Sequence, residues 1–413
     1  MVKIPEKFQN RIKIQFGNDS EQFLTSLENS PVISVRKNPK KITDLWIDNE
    51  KVPWCNEGYY LSQKPIFTLD PLFHAGCYYP QEASSMVVDW ILRQIISIPD
   101  NPIVLDLCAA PGGKSTLLAS WMDGKGLLVA NEIIRNRSII LLENMVKWGY
   151  PNCVVTQNSP SDFSPLRHFF DIILVDAPCS GEGMFRKEKR AAEEWSESNA
   201  AMCAVRQRKI LDEIWGSLKP GGILIYSTCT FNPSENEENI ACFAKDNQAE
   251  VLRFAPPETW GIKSIEINDG AGLAFYPHLV KGEGFFITVI RKQDDEEYQP
   301  LTKKEKTINL LKKYLNTMEY GVKIGGTGQK EIIPSQALAM STDFRNNGFF
   351  PEIELNLKEA LNYLKGNILP SSNKQKGYVL LTYKGIPLGF GKEIGSRINN
   401  LYPAGWRIRM GIN

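Results

Sequence analysis

A chain of 413 residues, 42% hydrophobic and 23% charged, has the length of about two or three domains, and its formal net charge of +1 means that any nucleic-acid binding must come from local patches. The opening MVKIPEKFQNRIKIQF has no apolar signal region, and no run approaches the roughly 18 to 20 apolar residues of a membrane span, so a cytoplasmic protein with no membrane partner is expected. Eight cysteines without a C-x-x-C, and three histidines, form no zinc pattern; they read as reduced thiols, with Cys153 and Cys242 as small buried hydrophobes and no metal expected.

Residues 1–98 read as an irregular first region containing VISVRKNPKK (32–41), an aromatic Pro- and Gly-rich stretch and a helix over 83–96. From 103 onward, apolar strands alternate with amphipathic helices. Strands are expected over 103–107, 127–131, 153–156, 172–176, 223–227 and 285–290, and helices over 115–122, 135–148, 191–217 and 235–245. This alternation predicts an α/β unit over 99–293, a doubly wound, mostly parallel sheet whose last strand pairs antiparallel at one edge. The charged stretch 294–306 reads as a linker. Residues 307–413 read as a small α+β unit with helices over 308–317 and 356–364 and a hairpin over 377–392.

Two cysteines stand where apolar runs break into turn residues: Cys179 in DIILVDAPCSGEGMFRK and Cys229 in GGILIYSTCTFNPSENE. In an open α/β sheet that is the carboxyl edge, where ligands bind, and two thiols there suggest covalent catalysis. The first strand runs into CAAPGGKST (108–116), a glycine turn opening a helix. A P-loop would need a glycine where Cys108 stands, although Lys114, Ser115 and a Walker-like Asp176 fit. A Rossmann-like adenosine site is the rival, with Glu132, 19 residues after Gly113, as the ribose acid. Gly112 and Gly113 would leave room for the cofactor against the turn. Lys114 could steer an anion or simply begin a helix.

CAAPGGK, DAPCSGEGMFRK and YSTCTFNPSENE together resemble three motifs of the Sun/RsmF-type RNA cytosine-5 methyltransferases. PVISVRKNPKK, with Arg36 and Asn38, YYPQEASSM and FYPHLVKGEGFFITVIRK extend the resemblance over about 30–292, and GIPLGFGKEIGSRINNLYPAGWR is similar to the PUA-like tail of the bacterial RsmF branch. The resemblance implies a class I (Rossmann-like) fold dependent on S-adenosylmethionine, an N-terminal RNA-docking region and a PUA-like RNA-binding domain. Cys108, Ala109, Ala110, Pro111, Gly112, Gly113, Lys114, Glu132 and Asp176 would hold the cofactor. Cys229 would attack the base, Cys179 would assist release, and Asp176 would bond the cytosine edge or the methyl donor. Two departures stand out: Asn158, where an acid near the adenine is common, and Ala274, where an arginine is usual.

The implied partner is structured RNA, 16S ribosomal RNA first and transfer RNA second, and a monomer is expected to bind it. From 374 to 413 there are seven basic residues against one acid, Glu393, interleaved with Tyr378, Tyr383, Phe390, Tyr402 and Trp406. Arg36, Lys37, Lys40 and Lys41 form a second basic cluster, and RKEKR (186–190) a third. A P-loop ATPase and a non-catalytic assembly factor are the alternatives from other classes.

Overall fold

The computed structural model describes residues 4–41, 44–95, 98–293, 304–321, 325–327, 332–371 and 376–411. Its centre is a mixed sheet in which Leu218–Thr228, Phe170–Asp176, Ile103–Asp106, Leu127–Asn131 and Cys153–Thr156 run parallel as neighbours in that order. Every residue of Leu127–Asn131 and Cys153–Thr156 is buried, as expected when both faces carry helices. The helices Gly113–Met122, Arg135–Trp148 and Glu197–Trp215 supply that cover.

Phe285–Arg291 is antiparallel to Leu218–Thr228, as the sequence suggests, but it is not an edge. Gly270–Phe275 and Lys263–Ile267 form a hairpin that continues the sheet beyond it. The expected helix over 191–217 is broken into Lys189–Glu194 and Glu197–Trp215. Trp195 turns inward to donate to Glu182 at 2.9 Å, and Ser196 caps the second helix through the Asn199 amide. The helix over 83–96 shortens to a 3-10 turn, Ser84–Met86, and Val87–Gln94; residue 96 lies outside the described residues.

The flanking units are less separate than the sequence suggests. Of the linker, 294–303 lies outside the described residues. Beyond it, helix Lys304–Tyr314 sends Leu311 into the core of the central sheet, and Thr317–Tyr320, whose first residue falls within the expected helix, pairs antiparallel with Cys153–Thr156. The first region holds an antiparallel sheet of Gly58–Leu61, Ile33–Lys37 and Tyr78–Pro80. The C-terminal unit holds a five-stranded sheet including the expected hairpin, Gly377–Tyr383 with Ile386–Glu393. Its two-residue turn, Lys384–Gly385, has φ of +51° and +70°, the left-handed pair that matches strand twist. Val35, Tyr59, Leu72 and Tyr78 from the first region pack in one core with Leu361, Tyr363, Leu364 and Leu388 from the last. Among the described residues, no helix is long and apolar enough to cross a membrane.

Candidate active site

Cys108 follows strand Ile103–Asp106, Glu132 follows Leu127–Asn131, and Cys179 and Cys229 follow Phe170–Asp176 and Leu218–Thr228. Because these strands are parallel neighbours, their carboxyl ends converge on one cavity of about 520 Å³, lined by Cys108, Ala110, Glu132, Asp176, Cys179 and Cys229. Ala109, Pro111, Gly112, Gly113 and Lys114 do not line it. Ala109 donates its amide to Asn131, and the Pro111 carbonyl accepts from Asn144, so these residues shape the turn. Gly112 has φ of +115°, and a Cβ there would meet Asn144 and Leu141 at 3.4 Å. A Cβ on Gly113 would touch Tyr79 and Gln81 at ordinary distances. The conformation of the turn, rather than crowding against a ligand, requires glycine at 112, and packing does not require it at 113.

The sulfurs of Cys179 and Cys229 are 3.2 Å apart, in hydrogen-bonding geometry. The bond to Cys229, burial, and the charges of Cys229 and Glu235 push the Cys179 thiol well above the ordinary thiol range. These effects favour the protonated form of Cys179, since two thiolates in contact would repel each other.

Asp176 is engaged on both oxygens: Ser227 Oγ donates to one at 2.8 Å, and Lys114 Nζ lies 2.8 Å from the other. Burial opposes a charge on Lys114, but Asp176, Asp106 and Cys229 outweigh it and hold the ammonium above its ordinary value. This engagement answers the question left open for Lys114. It is the partner of Asp176 rather than a free phosphate ligand, which removes the lysine that a P-loop needs.

Glu132 accepts from the Ile134 amide at 2.9 Å and pairs with Arg137 at 3.2 Å on the cavity wall. Asn158 also lines the cavity, but its carbonyl oxygen accepts from the Asn316 amide at 3.0 Å, and its amide group donates to Asp162 at 3.3 Å. Ala274 is buried within a strand.

Sequence reasoning missed the groups that hold the two cysteine loops together. Glu235 accepts from the Ser180 amide at 2.9 Å and the Ser180 hydroxyl at 2.5 Å, and Glu182 accepts from the Phe231 amide at 3.1 Å. Both acids lie inside the quoted motifs, yet a glutamate beside a turn carries no pattern that tells a buried staple from a solvated charge. Asp106 is another such group. It is fully buried, takes a 2.6 Å bond from Ser115, and leaves its other oxygen without a partner.

The basic clusters divide. Arg36 is buried, bonded to Gln81, Gly113 and Thr116; Lys41 is half-buried on the Ala75 and Lys147 carbonyls; Lys37 is buried near Glu57; and Lys40 pairs with Asp123. That cluster clamps the first region to the catalytic unit and does not present a phosphate-binding face. Arg186 is likewise paired with Glu283 at 2.7 Å. In the tail, Lys376, Lys384, Arg397 and Arg409 are exposed, whereas Phe390 and Tyr402 are core; Lys374 lies outside the described residues. Cys153 is buried as expected, but Cys242 is exposed on its helix.

Three family models match in chain order: the N-terminal domain of 16S rRNA methyltransferase RsmF over residues 4–83, 16S rRNA methyltransferase RsmB/F over 93–291, and the methyltransferase RsmF PUA domain over 350–408. The chain is similar to the ribosomal RNA small subunit methyltransferase F of Shewanella woodyi, 31% identical over 86% of this chain and 84% of the relative. It is 30% identical to that of Shewanella loihica, over 98% and 95%. Among solved structures, a methyltransferase homologue from Pyrococcus horikoshii is 31% identical with a TM-score of 0.60, covering 70% of this chain and 96% of that one. The fold is thus the Rossmann-like methyltransferase fold, whose methyl donor is S-adenosylmethionine. The cavity residues fit that donor, with a wall acid at Glu132 for a ribose diol, the apolar Ile133 and Ile134 beside it, and the unpartnered buried oxygen of Asp106 nearby in the chain. With three models matched in order and near-full-length relatives at about 30% identity, the chain belongs to the 16S rRNA methyltransferase RsmB/F family.

Proposed function

We propose that the protein methylates carbon 5 of a cytosine in 16S ribosomal RNA, with Cys229 as the nucleophile at carbon 6 and Cys179 assisting release. The observation that carries this reading is the contact of two thiols on the wall of the donor cavity. Carbon 5 of cytosine is a poor nucleophile, and a thiolate added at carbon 6 makes the ring an enamine that is reactive at carbon 5. S-adenosylmethionine supplies an electrophilic methyl group when bound, held by Glu132 and the walls formed by Cys108 and Ala110.

Lys114 and Ser227 fix Asp176 where it can accept from the exocyclic amine. Once the Cys229 sulfur is bonded to carbon 6 it carries no charge, so a principal brake on Cys179 ionisation is gone. Cys179 then gives up its own proton to solvent and, as the thiolate, takes the carbon-5 proton. The C–H electron pair restores the ring double bond as the C–S bond breaks, and Cys229 leaves as thiolate. A paired target would first have to be flipped out of its helix. The exposed cations of the C-terminal unit, with Tyr378 and Tyr383, suit an RNA backbone and its bases.

The test is adduct trapping. Cys179→Ala with S-adenosylmethionine and ribosomal RNA should accumulate a denaturation-resistant protein–RNA adduct, Cys229→Ala should form none, and bisulfite sequencing should locate the cytosine. Trapping by Cys229→Ala would reverse the roles; no adduct and no 5-methylcytosine from the wild type would overturn the reading.

A further inference from the structure

The two cysteines come from loops that follow different strands, so their contact requires something to fix one loop against the other. Glu235, in the Cys229 loop, is fully buried and bonds across to the Cys179 loop through the amide and hydroxyl of Ser180. It also accepts from Gln207 Nε2 at 3.0 Å and Thr230 Oγ1 at 3.3 Å, while Gln207 donates to the Pro178 carbonyl at 3.1 Å. Glu235 is the acceptor in each of these contacts, a set that suits a carboxylate. We propose that Glu235 is a positioning residue for the cysteine pair: it sets the register of the two loops that bring Cys179 against Cys229, and its negative charge faces Cys179. The proposal rests on the cysteine-adduct reading above.

Three observations support the electrostatic half. The charge of Glu235 is among the groups that raise the Cys179 thiol. The groups facing this centre are unequal: Cys229, Glu235 and the Tyr226 hydroxyl bear on Cys179, and Glu182 and Cys203 stand near Glu235. Lys114 is paired with Asp176 and Arg11 with Glu182 at 2.6 Å, while Arg206 stands on the cavity wall and bears on Cys203. The charges that bear most on Cys179 are those of Cys229 and Glu235, and both raise it.

Glu235→Gln keeps the shape: its oxygen can accept from the Ser180 amide and its NH2 can donate to the two hydroxyls. Single-turnover methyl transfer and adduct release would be measured separately on ribosomal RNA across pH 6–9. Methyl transfer should change by less than about threefold, while the pH midpoint of release should fall by about one unit and its plateau above that midpoint should slow by about threefold or more, because a weaker base ionises earlier and takes the proton more slowly. Ser180→Ala keeps the charge but loosens the loop, so it should slow release with the midpoint unmoved; it also tests the positioning half if Glu235→Gln is insoluble. Wild-type release in both variants, or equal slowing of both steps at an unchanged midpoint in Glu235→Gln, would overturn the proposal. Absence of any adduct from Cys179→Ala would instead remove the cysteine reading on which it stands.

Discussion

Arg36 donates through Nη2 to the hydroxyl of Thr116 at 2.6 Å, reaching from the sheet of the first region to the helix that follows the CAAPGGK turn. The same guanidinium bonds Gln81 and the Gly113 carbonyl and lies over the Trp148 ring at 4.6 Å. Arg36→Met would leave three polar groups without their donor, at a cost of about 3 kcal/mol. Urea unfolding should show that loss, and calorimetry should show weaker S-adenosylmethionine binding, because the turn loses its outer support. An unchanged donor affinity would mean that the clamp and the turn are independent.

Lys114 and Asp176 should behave as one unit. Lys114→Met leaves the carboxylate of Asp176 without its cation, and Asp176→Asn does the converse, so each should lower kcat by about 100-fold or more. The double variant should be little worse than the poorer single one. Full additivity in a double-mutant cycle would show that the 2.8 Å pair has no joint role.

Burial pushes Asp106 up to about 7, against the bond from Ser115. The folded state therefore holds this proton more tightly than the unfolded chain does. The resulting stability is fully present below about pH 4 and is lost as pH rises to about 7, amounting to at most about 4 kcal/mol. Relative to Asp106→Asn, the wild type should lose stability between pH 4 and pH 7 in urea titrations. A constant difference across that range would show that Asp106 keeps an ordinary carboxyl in the fold.

Lys41 and the tail cations should separate stability from RNA binding. Lys41 is half-buried, and the loss of solvent around its ammonium lowers it to about 8; it donates to the Ala75 carbonyl at 2.7 Å and to the Lys147 carbonyl at 2.5 Å. Lys41→Met should cost about 1–3 kcal/mol of stability and leave the salt dependence of RNA binding alone. Lys384→Ala combined with Arg397→Ala should reduce the slope of log K against log salt by about 1 to 2 with stability retained. The opposite pattern would make the first region the RNA face.

The sequence by itself determined the order of the central strands and helices, because a chain alternating buried β-runs with amphipathic helices has few ways to close a parallel sheet. It also placed Cys108, Glu132, Asp176, Cys179 and Cys229 at strand ends, and one sheet edge does bring them to one cavity. Tertiary structure alone decided what each charge does. Arg36, Lys41, Lys114, Glu182 and Glu235 look like surface residues in a linear string, and each finds its partner far along the chain, where burial makes an unpaired charge too costly to tolerate. The same holds for the two flanking units. Nothing local to Tyr78 or Leu361 shows that they share a core, since that contact depends on how the whole chain returns upon itself.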